Sequence, residues 1–418
     1  MLNFSNLKGL QQPSRRMSVP PHMSEALAMV REGRLQEASA LLMGHRHNEP
    51  GVGAETTGTV ASPKPRLSGL AARGLASVQD VLDKMDLPRS SPSVSSAGAT
   101  ASPANPARAG QSRTQAASTK AAEPGRFERV AFTFNGVNHP YFLYTPQTAA
   151  PAGGRPLVMM LHGCTQDAQD FARGTCMNAT AELAGALVLY PAQSQSANAN
   201  GCWNWFRPED QKCGAGEPAL LRAMLHHAMQ AQPVDSQRVF VAGLSAGGAM
   251  AAVMAQQYPG VFAAVGVHSG LPPGAATSMM GALSAMKSGA KGWRAPRSHH
   301  GQRAVPMIVL HGDADKTVHK RNAEQLLQSA AADIITSVQT HEKGVSRDGQ
   351  HYTRTCVLDP ATPGQAVAEC WMLRGAGHAW SGGDARGSHA SAHGVNASAE
   401  MMRFFLAHPR QGVEVPGP

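Results

Sequence analysis

The feature that most constrains the fold is an alternation of short apolar runs with helical stretches, which begins near Phe127. Residues 130–134 and 141–144 look like antiparallel strands that precede it. The apolar runs that follow cover residues 157–161, 186–190, 239–244, 262–267 and 307–310. The clearest helical stretches are 217–230, 246–257 and 320–332. The pattern predicts an α/β fold with a mostly parallel central sheet and helices on both faces. In such sheets ligands bind at the carboxyl ends of the strands.

The first 125 residues have a different amino-acid composition. No aromatic residue lies between Phe4 and Phe127, and residues 49–123 are dominated by Ala, Ser, Thr, Pro and Gly. Such a segment cannot bury enough apolar area to offset its chain entropy. We therefore expect a largely disordered low-complexity region at 1–125 and a folded α/β domain at 126–410. Within the first region, residues 24–42 and 77–87 have the apolar spacing of short amphipathic helices, which either dock on the domain or a partner or form only in part.

The charge distribution argues against nucleic-acid binding, and the hydropathy argues against a membrane-spanning segment. The formal net charge is +9, but residues 1–125 hold 14 Lys and Arg against nine Asp and Glu, so that region accounts for +5 of it. No basic stripe interleaved with aromatic residues accompanies this charge, and we expect no nucleic-acid binding. No run of eighteen uncharged apolar residues is present, so we expect no membrane span. The sequence assigns no oligomeric state.

One strand runs directly into a candidate nucleophile. The run 238–242 leads into Gly243-Leu244-Ser245-Ala246-Gly247, and a helical stretch follows. This is a G-x-S-x-G pattern between a strand and a helix, the context in which a sharp turn exposes a reactive serine. Ser245 is therefore the predicted nucleophile.

A serine nucleophile needs a base and an acid that orients the base, here in the chain order serine, acid, histidine. Asp313 and Asp315 both lie on the loop after the run 307–310, and the residues leave the choice open. His378 lies in a glycine-rich loop near the end of the domain, where the base belongs. We favour it over the other candidates, which are His268, His319 and His351.

An oxyanion hole in this arrangement uses the N–H of the residue after the nucleophile and a second N–H from an earlier loop. The first is that of Ala246. The run 157–161 continues into His162, Gly163 and Cys164, and we place the second donor at Cys164. His162 and Gly163 are expected to pack beneath the site.

Several motifs in order resemble the esterase family of poly(3-hydroxybutyrate) depolymerases, which also contains feruloyl and acetyl xylan esterases. The resemblance covers roughly residues 127–408. Its motifs are Leu161-His-Gly-Cys-Thr-Gln166, Cys202-Trp-Asn-Trp-Phe206, Gly243-Leu-Ser-Ala-Gly-Gly248, His311-Gly-Asp-Ala-Asp315 and Gly377-His-Ala-Trp-Ser-Gly-Gly383. It implies an α/β-hydrolase fold, an ester substrate and no cofactor or metal. It also implies that Asp315, rather than Asp313, is the acid.

The same resemblance suggests how substrate is held. Trp203, Trp205 and Trp380 would line an apolar acyl site, although core packing is the alternative for each and the favoured one for Trp205. Residues 278–303 form an insertion that is either a mobile flap or a surface loop. A polyhydroxyalkanoate or its oligomers is the expected substrate. The alternatives are a feruloyl or acetyl xylan ester, a peptide cleaved on the same fold, and a non-catalytic protein that binds a polymer granule or a partner.

Cysteines and the N-terminus give opposite indications of compartment. All six cysteines fall between Cys164 and Cys370. Topology and the family motif favour bridges Cys164–Cys202 and Cys356–Cys370, which would indicate an extracellular or periplasmic protein. The first residues show no secretory signal pattern, which favours reduced thiols in the cytoplasm.

Overall fold

The computed structural model describes residues 125–295, 304–334, 336–361 and 364–410. Both amphipathic stretches predicted at 24–42 and 77–87 lie outside these ranges, and the domain boundary at 125/126 stays a prediction. The strands are β1 Arg126–Val130, β2 Thr133–Phe134, β3 Val137–Asn138, β4 Tyr141–Thr145, β5 Arg155–Leu161, β6 Leu187–Pro191, β7 Val234–Leu244, β8 Ala264–His268, β9 Met307–Gly312, β10 Val338–Val345, β11 His351–Leu358 and β12 Ala366–Leu373. The helices are α1 Ala168–Thr175, α2 Met177–Ala184, α3 Gly216–Ala231, α4 Ala246–Gln257, α5 Met279–Ser288, α6 Arg321–Ala330 and α7 Ala397–Ala407, with a 3₁₀ turn at Pro208–Gln211.

The main sheet has the strand order β1-β4-β6-β5-β7-β8-β9-β12-β11-β10. Its centre, from β6 to β12, is parallel, and antiparallel strands extend it at both ends. Alternate residues of β5 enter two different apolar clusters, Leu157 and Met159 in one and Val158 and Met160 in the other. Helices therefore cover both faces, and the predicted α/β-hydrolase fold is confirmed. No helix in the described ranges is both long and apolar enough to cross a membrane.

The sequence did not predict the antiparallel strands at the β10 edge. Every residue of β10 except Gly344 is exposed, and this edge strand has no apolar run to reveal it. β11 and β12 pair so that Cys356 lies opposite Glu369 and Cys370 lies opposite Thr355. Residues directly opposite point to the same face, so the two cysteines point to opposite faces of the sheet. Both are free thiols, and the predicted bridge between them was wrong.

Candidate active site

Ser245 lies at the junction between β7 and α4, at the carboxyl edge of the sheet. Its backbone has φ 56° and ψ −119°, a region that residues with a side chain seldom adopt. The Ser245 N–H donates to the carbonyl of His268 at the end of the adjacent strand β8, at 2.9 Å. This bond fixes the strained turn and leaves the side chain at the surface of a cleft.

The glycines of the motif are required by the close approach of two backbones. A Cβ at Gly247 would collide with the carbonyl oxygens of Leu161 and His162, and one at Gly243 would collide with the backbone of Gly247. No side chain fits at either position without moving β5 or the start of α4. These contacts set the distance between the nucleophile turn and the loop after β5.

The predicted base and the favoured acid are hydrogen-bonded. His378 Nδ1 lies 2.7 Å from Asp315 Oδ2. An ionised carboxylate only accepts, so Nδ1 carries the proton and Nε2 is left as an acceptor. His378 and Ser245 line the same cleft.

Backbone donors and a second histidine hold Asp315 in place. Its Oδ1 accepts from the N–H groups of Thr317 and Val318 at 2.8 Å each. His311 Nε2 donates to the Val318 carbonyl at 2.7 Å and lies 3.6 Å from Asp315 Oδ2. Burial alone would raise the pKa of Asp315, but the hydrogen bond and charge of His378 outweigh it, so that this pKa is lowered. The carboxyl is therefore ionised at neutral pH.

The other sequence candidates lie elsewhere. Asp313 is exposed, and its Oδ1 accepts from the Gly375 N–H at 2.6 Å. His268 is fully buried, and its Nε2 accepts from the N–H of Ser381 at 3.2 Å. Burial lowers the pKa of His268 to about 3, which keeps the ring neutral. His319 and His351 are both exposed.

The loop after β5 forms the opposite wall of the cleft. Gly163 is close enough that an added Cβ would lie 3.6 Å from the Ser245 Cβ. Among the described residues, neither the Cys164 N–H nor the Ala246 N–H has a hydrogen-bond acceptor. His162 packs beneath, as expected: it is 1% exposed and its ring lies 5.6 Å from that of Trp203. Two free N–H donors thus flank a strained serine.

Met286, on α5, belongs to the insertion at 278–303 that the sequence predicted as a flap or a surface loop, and it lines the cleft. His389 also lines the cleft and was not predicted from the sequence. His389 has φ 51°, and its Nε2 lies 3.2 Å from Thr165 Oγ1. An isolated β-bridge between Trp380 and Ala390 places the loop that carries His389 beside the loop that carries His378. Part of the predicted insertion, residues 296–303, lies outside the described ranges.

A family model described as esterase PHB depolymerase matches residues 139–349, half of the chain. The chain belongs to this family. Its relatives include poly(3-hydroxyalkanoate) depolymerase C of Paucimonas lemoignei, 34% identical over 205 residues, which are 47% of this chain and 49% of the relative. Feruloyl esterase B of Thermothelomyces thermophilus is 27% identical over 236 residues, 53% of this chain and 79% of that protein.

The match to the depolymerases is partial in length. This chain spans about half of the Paucimonas enzyme and 33% of the poly(3-hydroxybutyrate) depolymerase of Ralstonia pickettii, to which it is 34% identical over 160 residues, 36% of this chain. Among solved structures, an acetyl xylan esterase from Aspergillus awamori matches with a TM-score of 0.52 and 21% identity, covering 67% of this chain and 99% of that one. That likeness shows a shared fold.

In this PHB depolymerase-family chain, a disulfide joins the two loops beside Ser245. Cys164 and Cys202 are bridged, with their Cα atoms 4.2 Å apart. β5 and β6 are adjacent parallel strands, which brings the loops that follow them together. The predicted bridge is confirmed.

The three tryptophans do not line the cleft of this family member. Trp203 and Trp380 are 0% and 1% exposed, and Trp205 is 5% exposed. Trp380 stacks on His268 at 5.3 Å and donates from Nε1 to Ser398 Oγ at 3.1 Å. The expectation that they contact substrate is therefore corrected: they form the core that supports the loops around the cleft. No cluster of three or more potential metal ligands occurs within the described ranges.

Proposed function

We propose that the protein is a serine esterase that hydrolyses carboxylic esters through Ser245, His378 and Asp315. The observation that carries the proposal is the 2.7 Å bond between His378 and a buried carboxylate, beside a strained serine in the same cleft. Family membership supports the class of reaction.

The reaction follows from these positions. His378 Nε2 takes the Ser245 proton as Oγ bonds to the ester carbonyl carbon. The N–H groups of Cys164 and Ala246 donate to the oxyanion that forms. When the intermediate collapses, the C–O bond to the alcohol breaks and the alcohol leaves with the proton from His378. Water, activated by the same histidine, then attacks the acyl-enzyme and releases the acid, returning the proton to Ser245.

The walls of the cleft favour an aliphatic acyl group. Met286 contributes a flexible apolar side chain and His389 a polar ring edge, whereas the three tryptophans belong to the core. An aliphatic ester with a nearby oxygen suits these groups, and no Trp, Tyr or Phe among the described residues lines the cleft to stack on a feruloyl ring. We therefore propose a polyhydroxyalkanoate, its oligomers or short aliphatic esters as substrate.

The test is an assay of the purified full chain on p-nitrophenyl acetate, butyrate and octanoate, a 3-hydroxybutyrate trimer and methyl ferulate. We expect kcat/KM for butyrate and the trimer to exceed that for methyl ferulate by at least about tenfold. Preference for methyl ferulate would reverse the substrate assignment. No ester hydrolysis at all would remove the proposed activity.

The Cys164–Cys202 bridge gives a further prediction. We expect Cys202→Ser to lower the free energy of unfolding by about 3 to 4 kcal/mol, because the bridge closes a loop with a sequence separation of 38. Turnover should also fall, since the bridge restrains the Cys164 amide. The measurement is thermal unfolding together with kcat, and Cys213→Ser, at an exposed free thiol, is the control. Equal stability and kcat in both variants would contradict the prediction.

A further inference from the structure

We propose that Glu217 is a positioning residue that holds the oxyanion-hole amide of Cys164 through a buried polar network, a role that rests on the esterase mechanism proposed above. Glu217 is in the first turn of α3 and is 8% exposed.

The carboxylate accepts from two neighbouring loops. Its Oε1 accepts from Gln193 Nε2 at 2.5 Å and from Asn204 Nδ2 at 2.7 Å. Its Oε2 accepts from the Asn204 N–H at 2.7 Å. All the partners on these oxygens are donors, so the site is built for a group that only accepts.

Two routes lead from this carboxylate to Cys164. Asn204 lies two residues after Cys202, whose sulfur is bonded to Cys164 and whose carbonyl accepts from Gln193 Nε2 at 3.1 Å. The Gln193 N–H donates to His162 Nε2 at 3.2 Å, and His162 Nδ1 donates to the carbonyl of Gly163 at 2.8 Å. The residue before Cys164 and its disulfide partner are thus both tied to Glu217.

The surroundings of Glu217 disfavour its ionised form. Burial first, and then the negative charge of Asp210, raise the pKa of Glu217 to about 7. Asp210 Oδ1 accepts from the Glu217 N–H at 2.7 Å, and the charge of Arg207 faces Asp210. His162 is the other titratable group of the network, and burial lowers its pKa, so it stays neutral.

Protonation of Glu217 puts an O–H donor opposite a group that also donates. Glu217→Gln creates the same mismatch at every pH and at nearly equal side-chain volume, because its amide nitrogen must face one of these donors. We expect this variant to lose about tenfold to a hundredfold in kcat with KM changed by less than about threefold, since an oxyanion donor acts on the transition state. The matched control is Glu182→Gln, at a partly buried glutamate that accepts from Tyr144 away from the cleft.

The pH profile separates positioning from simple structural support. As the pH falls through about 7 the wild type loses the ionised Glu217. Glu217→Gln has no such ionisation to lose, so log(kcat/KM) should fall more steeply with decreasing pH in the wild type than in this variant. Gln193→Met, which cuts the link to both Glu217 and Cys202, should also lower kcat if Glu217→Gln does not fold.

The results separate this inference from the proposed function. A wild type whose hydrolysis does not depend on Ser245 would overturn the proposed function. If hydrolysis depends on Ser245, an acid limb of equal steepness in the wild type and Glu217→Gln, or full activity of Glu217→Gln, would overturn the role of Glu217 alone. An equal loss of kcat in Glu182→Gln would do so too.

Discussion

Replacing Ser245 with alanine should lower kcat/KM on p-nitrophenyl butyrate by at least about a thousandfold, as loss of a triad nucleophile does. The fold should persist, because alanine keeps the N–H that donates to His268 and occupies the same strained turn. Steady-state kinetics and the melting temperature measure the two effects. Residual activity above about a tenth of the wild type would remove Ser245 from the mechanism.

The control for this variant is Ser269→Ala. Ser269 also has a positive φ of 49°, is fully buried and directly follows the adjacent strand β8. It contacts His268 and should lose less than about tenfold in kcat/KM. A fluorophosphonate should form its adduct on Ser245 of the wild type, and mass spectrometry that finds the adduct on another serine would contradict the assignment.

Asp315→Asn should reduce kcat by about a thousandfold or more. An amide at this position presents an N–H₂ to His378 or loses the Thr317 and Val318 donors, so the imidazole no longer keeps the tautomer that leaves Nε2 free. Asp313→Asn is the matched control two residues away. Its remaining oxygen still accepts from Gly375, and we expect a loss below about tenfold. The opposite ranking would move the acid to Asp313.

The turn at Ser245, the glycine-rich loop of His378 and the parallel centre of the sheet could be predicted because each has a local signal. Ser245 has glycines at fixed offsets, and β5 to β9 have apolar runs. The choice between Asp313 and Asp315 had no such signal. The Asp313 N–H still bonds to the Leu373 carbonyl of β12, so this residue continues the sheet edge, whereas the chain turns at Asp315.

Several features depend on long-range contacts that leave no local signal in the sequence. The core and an apolar cleft are similar environments for a tryptophan, so the packing of the loops decides which of the two it occupies. The sequence around Trp203 and Trp380 does not indicate that both belong to the core. The Cys356–Cys370 pairing failed on register, because a shift of one residue puts a side chain on the other face of a sheet. His389 joins the cleft through a long-range bridge that no periodicity marks.

The glycine contacts between β5 and the turn at Ser245 have a consequence for how such a protein can diverge. Because Gly243 and Gly247 have no side chain, the turn at Ser245 packs closely against the backbone of Leu161 and His162, and this spacing requires that both residues stay glycine. Met286 and His389 come from separate segments that these contacts do not involve. On the proposed function, we therefore expect mutations in those segments to change which ester is accepted without displacing Ser245 or the loop after β5.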